Sequence, residues 1–129
     1  MKCTLDKQEK YTVFTVLDEK LNSLVAPELK TELIMLNTEG VSNIVLDLSH
    51  VTFVDSSGLS AILVANRLCA QNGGNLVLAN ISENVSRLIK ISQLDKVLKI
   101  FPDIAESRDF IMLGELKKEL SGDEKQDEV

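Results

Sequence analysis

Residues 44–79 read IVLDLSHVTFVDSSGLSAILVANRLCAQNGGNLVLA. Ile44 to Leu48 is short and almost wholly apolar, as a strand covered on both faces should be, and Leu76 to Ala79 is a second strand of the same kind. Between them, Ser56 to Asn72 has helical character and stops at Asn72-Gly73-Gly74-Asn75, where glycine tolerates the left-handed conformation of a helix end. A strand, a helix and a strand in that order predict a crossover unit joining parallel strands.

Working outward, Tyr11 to Leu17 is β-branched and aromatic and reads as a strand, paired in a hairpin with a weaker one over Cys3 to Gln8. Pro27 suits the first turn of a helix whose apolar face is Leu29, Leu33 and Leu36, and Gly40 ends it. Beyond the crossover, Val85, Leu88 and Ile89 carry helical spacing, and Val97 to Phe101 reads as a last strand before Pro102. Phe110, Leu113, Leu116 and Leu120 mark a C-terminal helix, and the closing SGDEKQDEV is expected to be an unstructured acidic tail. The alternation predicts an α/β fold: one domain over residues 1–120, with a mixed, mostly parallel sheet packed with about four helices, then the tail over 121–129.

The chain has 129 residues, enough for one domain to bury its apolar surface without staples. Aromatic residues are 4% with no Trp, so the core is aliphatic. A formal charge of −6 repels a phosphate backbone, and no basic cluster interleaved with aromatics occurs, so no nucleic acid is expected. Cys3 and Cys69 lack CxxC spacing, which removes a zinc or redox pair and leaves no metal or cofactor to expect. The N-terminus lacks the apolar core of a signal peptide and no run approaches a bilayer span, which predicts a cytoplasmic protein with no membrane insertion.

The chemistry-bearing stretch is Thr52 to Leu63, TFVDSSGLSAIL, where Asp55, Ser56 and Ser57 are expected at the carboxyl end of a central strand, the edge on which open α/β sheets place ligands. Asp or Ser there can simply cap the helix, contributing about 1 kcal/mol. A nucleophile elbow would need glycines on both sides of the serine, and VDSSGL lacks them. A catalytic triad would have to recruit His50, the only histidine, which is expected to face solvent at a strand end. No catalytic residue is therefore assigned. Gly58 and the Asn72-Gly73-Gly74 turn make neither a Walker loop nor a dinucleotide fingerprint, and a solvated or capping role explains Asp47 and Asp55. The remaining possibility is a hydroxyl displayed for modification, because phosphate at a helix N-terminus meets free N–H groups. It would also bring nearly two negative charges to an acidic surface and abolish a docking face without unfolding the domain. Capping and modification both fit these residues.

The helix that follows is apolar around most of its girth: Leu59, Ile62 and Leu63 form one flank, while Ala61, Val64, Ala65, Leu68 and Cys69 nearly close the circle. Burial between the sheet and neighbouring helices is the expected use, with a partner surface as the alternative.

VTFVDSSGLSAIL, preceded by NIVLDLSHV and followed by NGGNLVLANISENVSRLIKISQLDKVLKIF, resembles a stand-alone STAS domain of the bacterial anti-sigma factor antagonist type, over roughly residues 8–118. The resemblance implies a mixed sheet packed with helices. It implies that the unphosphorylated protein binds an anti-sigma factor that is also a serine kinase, and that phosphorylation ends the interaction, with a serine phosphatase to reset it. Carried over, the phosphoacceptor is Ser56, with Asp55, Ser57 and Gly58 shaping the turn; Ser60, in the first turns of the same helix, is expected on the surface around it. The family's loop after the second strand often reads glycine, acid, leucine, aspartate; here it is Glu19, Lys20, Leu21 and Asn22, keeping only the leucine. Lys20, Leu21 and Asn22 are expected beside Ser56 in the partner-binding surface. STAS domains also serve as accessory subunits of lipid-transport ABC complexes, which is the alternative reading.

Overall fold

The computed structural model describes the backbone of residues 1–128 and the side chains of residues 1–121. The strands are β1 (Cys3–Lys7), β2 (Thr12–Val16), β3 (Lys20–Leu21), β4 (Ile44–Asp47), β5 (Phe53–Val54), β6 (Leu76–Ala79) and β7 (Lys99–Phe101). The helices are α1 (Ala26–Thr38), α2 (Ser56–Gln71), α3 (Glu83–Ile91) and α4 (Ile104–Glu128). The acidic segment 121–129 lies, from residue 122 onward, outside the described side chains.

Five strands form one sheet in the order β1-β2-β4-β6-β7, with β1 antiparallel to β2 and the other pairings parallel. The central strands β4 and β6 are buried at every position, the reason their sequences show no polar alternation. Register puts Phe14, Leu46 and Leu78 in one row, facing α1, α2 and α3, whose Leu29, Leu33, Ile62, Val85 and Ile89 complete the main core. The offset row, Val13, Val45 and Val77, faces the other way and meets Ile111 of α4.

The expected hairpin, crossover and helices are present, and one junction differs. Asp55 does not follow a central strand directly. After β4 the chain turns at Leu48–Val51, both fully buried, and passes through β5, which pairs in parallel with β3 as a separate two-stranded ladder. The last strand also begins two residues late. Val97 closes a single 3-10 turn over Leu94–Lys96 and is exposed, so pairing starts at Lys99.

A polar latch fixes α4. The buried Asn43 side chain accepts from the Asn75 N–H at 2.9 Å and donates to the Lys10 carbonyl at 3.0 Å and to the Glu115 carboxylate. Lys118 Nζ lies 3.2 Å from the same carboxylate and donates to the Gly73 carbonyl. Burial would push the Glu115 carboxyl up, but the Asn43 amide and the Lys118 ammonium outweigh it and hold it below the usual carboxylate range. The sheet-facing side of α4 is Ile104, Ser107, Phe110 and Ile111. Leu113, Leu116 and Leu120, which the periodicity placed on its apolar face with Phe110, point to solvent.

Candidate functional site

Ser56 is the first residue of α2 and is exposed. Asp55 precedes it in extended backbone and accepts the Gly58 N–H on Oδ1 at 3.0 Å, closing one of the orphan donors of the first turn. Its other oxygen, Oδ2, accepts the Ser23 N–H at 3.1 Å. One carboxylate therefore caps the helix and also tethers the loop between β3 and α1. The Asp55 N–H donates to the Leu21 carbonyl at 3.2 Å, and the Thr52 N–H to Glu19 at 2.8 Å, so the β3–β5 ladder runs up to the cap. The Ser56 hydroxyl is displayed on backbone held from both sides.

Gly58 makes this close approach possible. A Cβ there would lie 2.5 Å from the Leu21 carbonyl oxygen and 2.9 Å from Val54 Cγ1. Both residues are fixed by the β3–β5 ladder, so no larger residue fits without separating α2 from β3.

The residues singled out from sequence fall into two groups. Ser56, Ser60 and Lys20 are exposed, while Asp55, Ser57 and Asn22 are half-buried. Leu21 is fully buried and Gly58 is buried, so these two shape the surface from beneath and offer it no side chain. The Asn22 side chain accepts the Leu24 N–H at 3.0 Å, and its carbonyl accepts the Val25 and Ala26 N–H groups, turning the loop into α1. The two segments touch through the Ser23–Asp55 bond, while Lys20 stands across from Phe53. A shallow groove of about 390 Å³ runs between Ala26, Pro27 and Lys30 of α1 and Ser56, Ser57 and Ser60 of α2.

Two exposed apolar side chains on the segments that lead into the site escaped the sequence reading, although Phe53 lines a separate groove with Asn84, Val85 and Leu88 of α3. Leu24, one residue after the tethered Ser23, is 82% exposed, and Phe53, across from Lys20 in the ladder, is 49% exposed. The alternation Phe53-Val54 carried a signal, since Val54 faces the core and its neighbour must face out. Leu24 carried none. The rest of α2 is spent on the core: Leu59, Ala61, Ile62, Ala65 and Cys69 are buried, with Leu63, Val64 and Leu68 half-buried.

Asp47 is corrected by the structure: it is 6% exposed, accepting from the Ser49 N–H at 3.1 Å, Asn80 Nδ2 at 3.1 Å and Thr15 Oγ1 at 3.2 Å. These bonds tie the carboxyl ends of β2, β4 and β6 and engage both of its oxygens, so it is neither solvated nor a helix cap. His50 is exposed at the turn after β4. Among the described residues, no cluster of three or more His, Cys, Asp or Glu could hold a metal ion, and no helix is long and apolar enough to cross a membrane.

Comparison with known proteins matches the STAS domain model over residues 4–107. A Bordetella bronchiseptica protein provisionally named anti-sigma factor antagonist BtrV is 33% identical over 109 residues, covering 84% of this chain and 90% of that protein. The anti-sigma-B factor antagonist of Staphylococcus epidermidis is 28% identical over 81 residues, covering 63% of this chain and 75% of that one. The crystal structure of a Thermotoga maritima protein provisionally described as an anti-sigma factor antagonist superposes with a TM-score of 0.77 at 25% identity, covering 85% of this chain and 94% of that chain.

Proposed function

This chain belongs to the STAS domain family, and from that premise we propose that it is an anti-sigma factor antagonist: a regulatory binding module, not an enzyme, that docks an anti-sigma factor through the surface around Ser56. Phosphorylation of Ser56 by that partner, acting as a serine kinase, ends the interaction in the cytoplasm, and a serine phosphatase restores it. The observation that carries the reading is an exposed hydroxyl on a rigidly held helix start, lining a groove with α1 and tethered through Asp55 to the loop that carries exposed Leu24.

The chemistry follows from charge and solvation. Unmodified, the site offers small hydroxyls and apolar side chains, whose burial by a partner is favourable. Phosphate at Ser56 adds about −1.5 to −2 charge at the centre of that surface. The N–H groups of Ser56 and Ser57 open the helix, so the modified domain tolerates the phosphate locally. The partner surface does not, because docking would bury the charge. Asp55 keeps its position throughout, since its oxygens are engaged with Gly58 and Ser23.

Incubation with the cognate anti-sigma kinase and ATP, followed by intact-mass measurement and site mapping, tests the proposal. One phosphate on Ser56, absent from Ser56→Ala, is expected. No transfer from a demonstrably active kinase would refute the switch and favour an accessory subunit of a lipid-transport ABC complex.

A further inference from the structure

The outward side of α4 carries an apolar seam that this domain leaves uncovered. Met112, Leu113, Leu116 and Leu120 are 41%, 58%, 53% and 59% exposed. Leu113, Leu116 and Leu120 lie about 140–200° round the helix from Ile111, the residue buried against the sheet, so no rearrangement within the domain covers both sides. The latch through Asn43, Glu115 and Lys118 fixes which side faces in.

We propose that this seam is the interface of a homodimer, in which α4 packs against α4 of a second copy of the same chain about a two-fold axis. Three observations choose that occupant. The leucines recur at intervals of three and four residues, the narrow stripe of helix-on-helix packing. The seam's charged rim is balanced: Lys10, Lys117 and Lys118 stand with Asp109, Glu115 and Glu119, Lys10 pairing with Glu119 at 3.7 Å and Lys118 with Glu115 at 3.2 Å. A partner selected by charge would require a rim of one sign, whereas on a chain of net charge −6 a locally neutral rim lets two copies approach without concentrated repulsion. The third is area. The exposed fractions amount to roughly 400 Å² of apolar surface, at the scale of functional patches on monomers. With the stems of the flanking charges, each copy approaches the ~800 Å² of a standard interface, which places the dimer at the small, reversible end.

The seam is on the opposite side of the sheet from α1 and α2. Pairing through it leaves both Ser56 sites open, so the dimer presents two sites at once and does not depend on their being a switch.

Sedimentation velocity of the full chain, over a range from low micromolar to submillimolar, provides the test. The wild-type mass should rise with concentration from one chain towards two. Leu116→Glu should stay at one chain throughout, with the melting temperature of wild type at low micromolar concentration, where wild type is a single chain, because Leu116 touches no core. A wild type that remains monomeric, or a Leu116→Glu that still pairs, overturns the proposal. If Leu116→Glu fails to fold, Leu116→Cys in a Cys3→Ser background with a short bis-maleimide decides: a cross-linked dimer well above that of a Ser60→Cys control supports the interface, and equal yields refute it.

Discussion

Replacing Gly58 with alanine tests the packing that displays Ser56. The added methyl would lie 2.5 Å from the Leu21 carbonyl oxygen, 2.9 Å from Val54 Cγ1 and 3.0 Å from Leu21 Cγ. The carbonyl cannot retreat cheaply, because it accepts the Asp55 N–H and belongs to the β3–β5 ladder. Overpacking of this kind costs about 1–3 kcal/mol, and exchanging glycine for alanine within a helix returns about 0.5–1 kcal/mol. Because the closest contact is with a backbone oxygen the cost falls in the upper part of that range, so the net loss is about 1–2 kcal/mol, a fall in melting temperature of roughly 4–8 °C for a domain of this size. Gly114→Ala is the matched control: its Cβ would meet only Asn75 Nδ2, at 3.9 Å, and no left-handed backbone is involved. It should raise stability by about 0.5–1 kcal/mol. Calorimetric melts of the two variants should therefore move in opposite directions, with only Gly58→Ala slowing phosphorylation of Ser56. A Gly58→Ala protein as stable as wild type would refute the tight approach of α2 to β3.

Other perturbations probe separate parts of the account. Asp55→Asn can keep the Gly58 cap while losing the Ser23 tether, so it should cost about 1 kcal/mol, and Asp55→Ala more, by chemical denaturation; an Asp55→Asn protein as stable as wild type would mean that the Ser23 tether contributes nothing. Glu115 has a folded-state pKa below its ordinary value, so its stabilisation is present above the usual carboxylate range and is lost as pH falls through the folded value. The melting-temperature gap between wild type and Glu115→Gln should accordingly be constant near neutrality and close in acid; a gap that widens in acid contradicts the latch. Burial pushes the Cys69 thiol up, and the residue is fully buried, whereas Cys3 is only half-buried. Native thiol titration should find one reactive cysteine per chain and denaturant should reveal the second; two in the native protein would contradict the packing of α2.

The sequence disclosed most of what local chemistry decides. Ile44–Leu48 and Leu76–Ala79 announced central strands because burial on both faces removes polar alternation, and Asp55 announced a helix start because its side chain bonds three residues on. Features that depend on distant partners were hidden. The strands β3 and β5 have two residues each and exist only through mutual pairing, and the tether from Asp55 to Ser23 spans 32 positions. Helix α4 shows a different limit. Periodicity found Leu113, Leu116 and Leu120, but hydrophobicity does not say which stripe meets the sheet; Ile111, Ser107 and the Glu115 latch decide that. Asp47 looked like an ordinary strand-end acid because Thr15 and Asn80, which bury it, arrive from neighbouring strands.

The switch at Ser56 is the central claim, and the most direct test is the affinity of the anti-sigma partner for two forms of the same protein, unmodified and phosphorylated on Ser56, measured by titration calorimetry with melting temperatures taken alongside. The account predicts binding of the unmodified form, at least about tenfold weaker binding of the phosphorylated form, and nearly equal melting temperatures, because the phosphate alters the docking surface and not the core. Equal affinities for the two forms would contradict it.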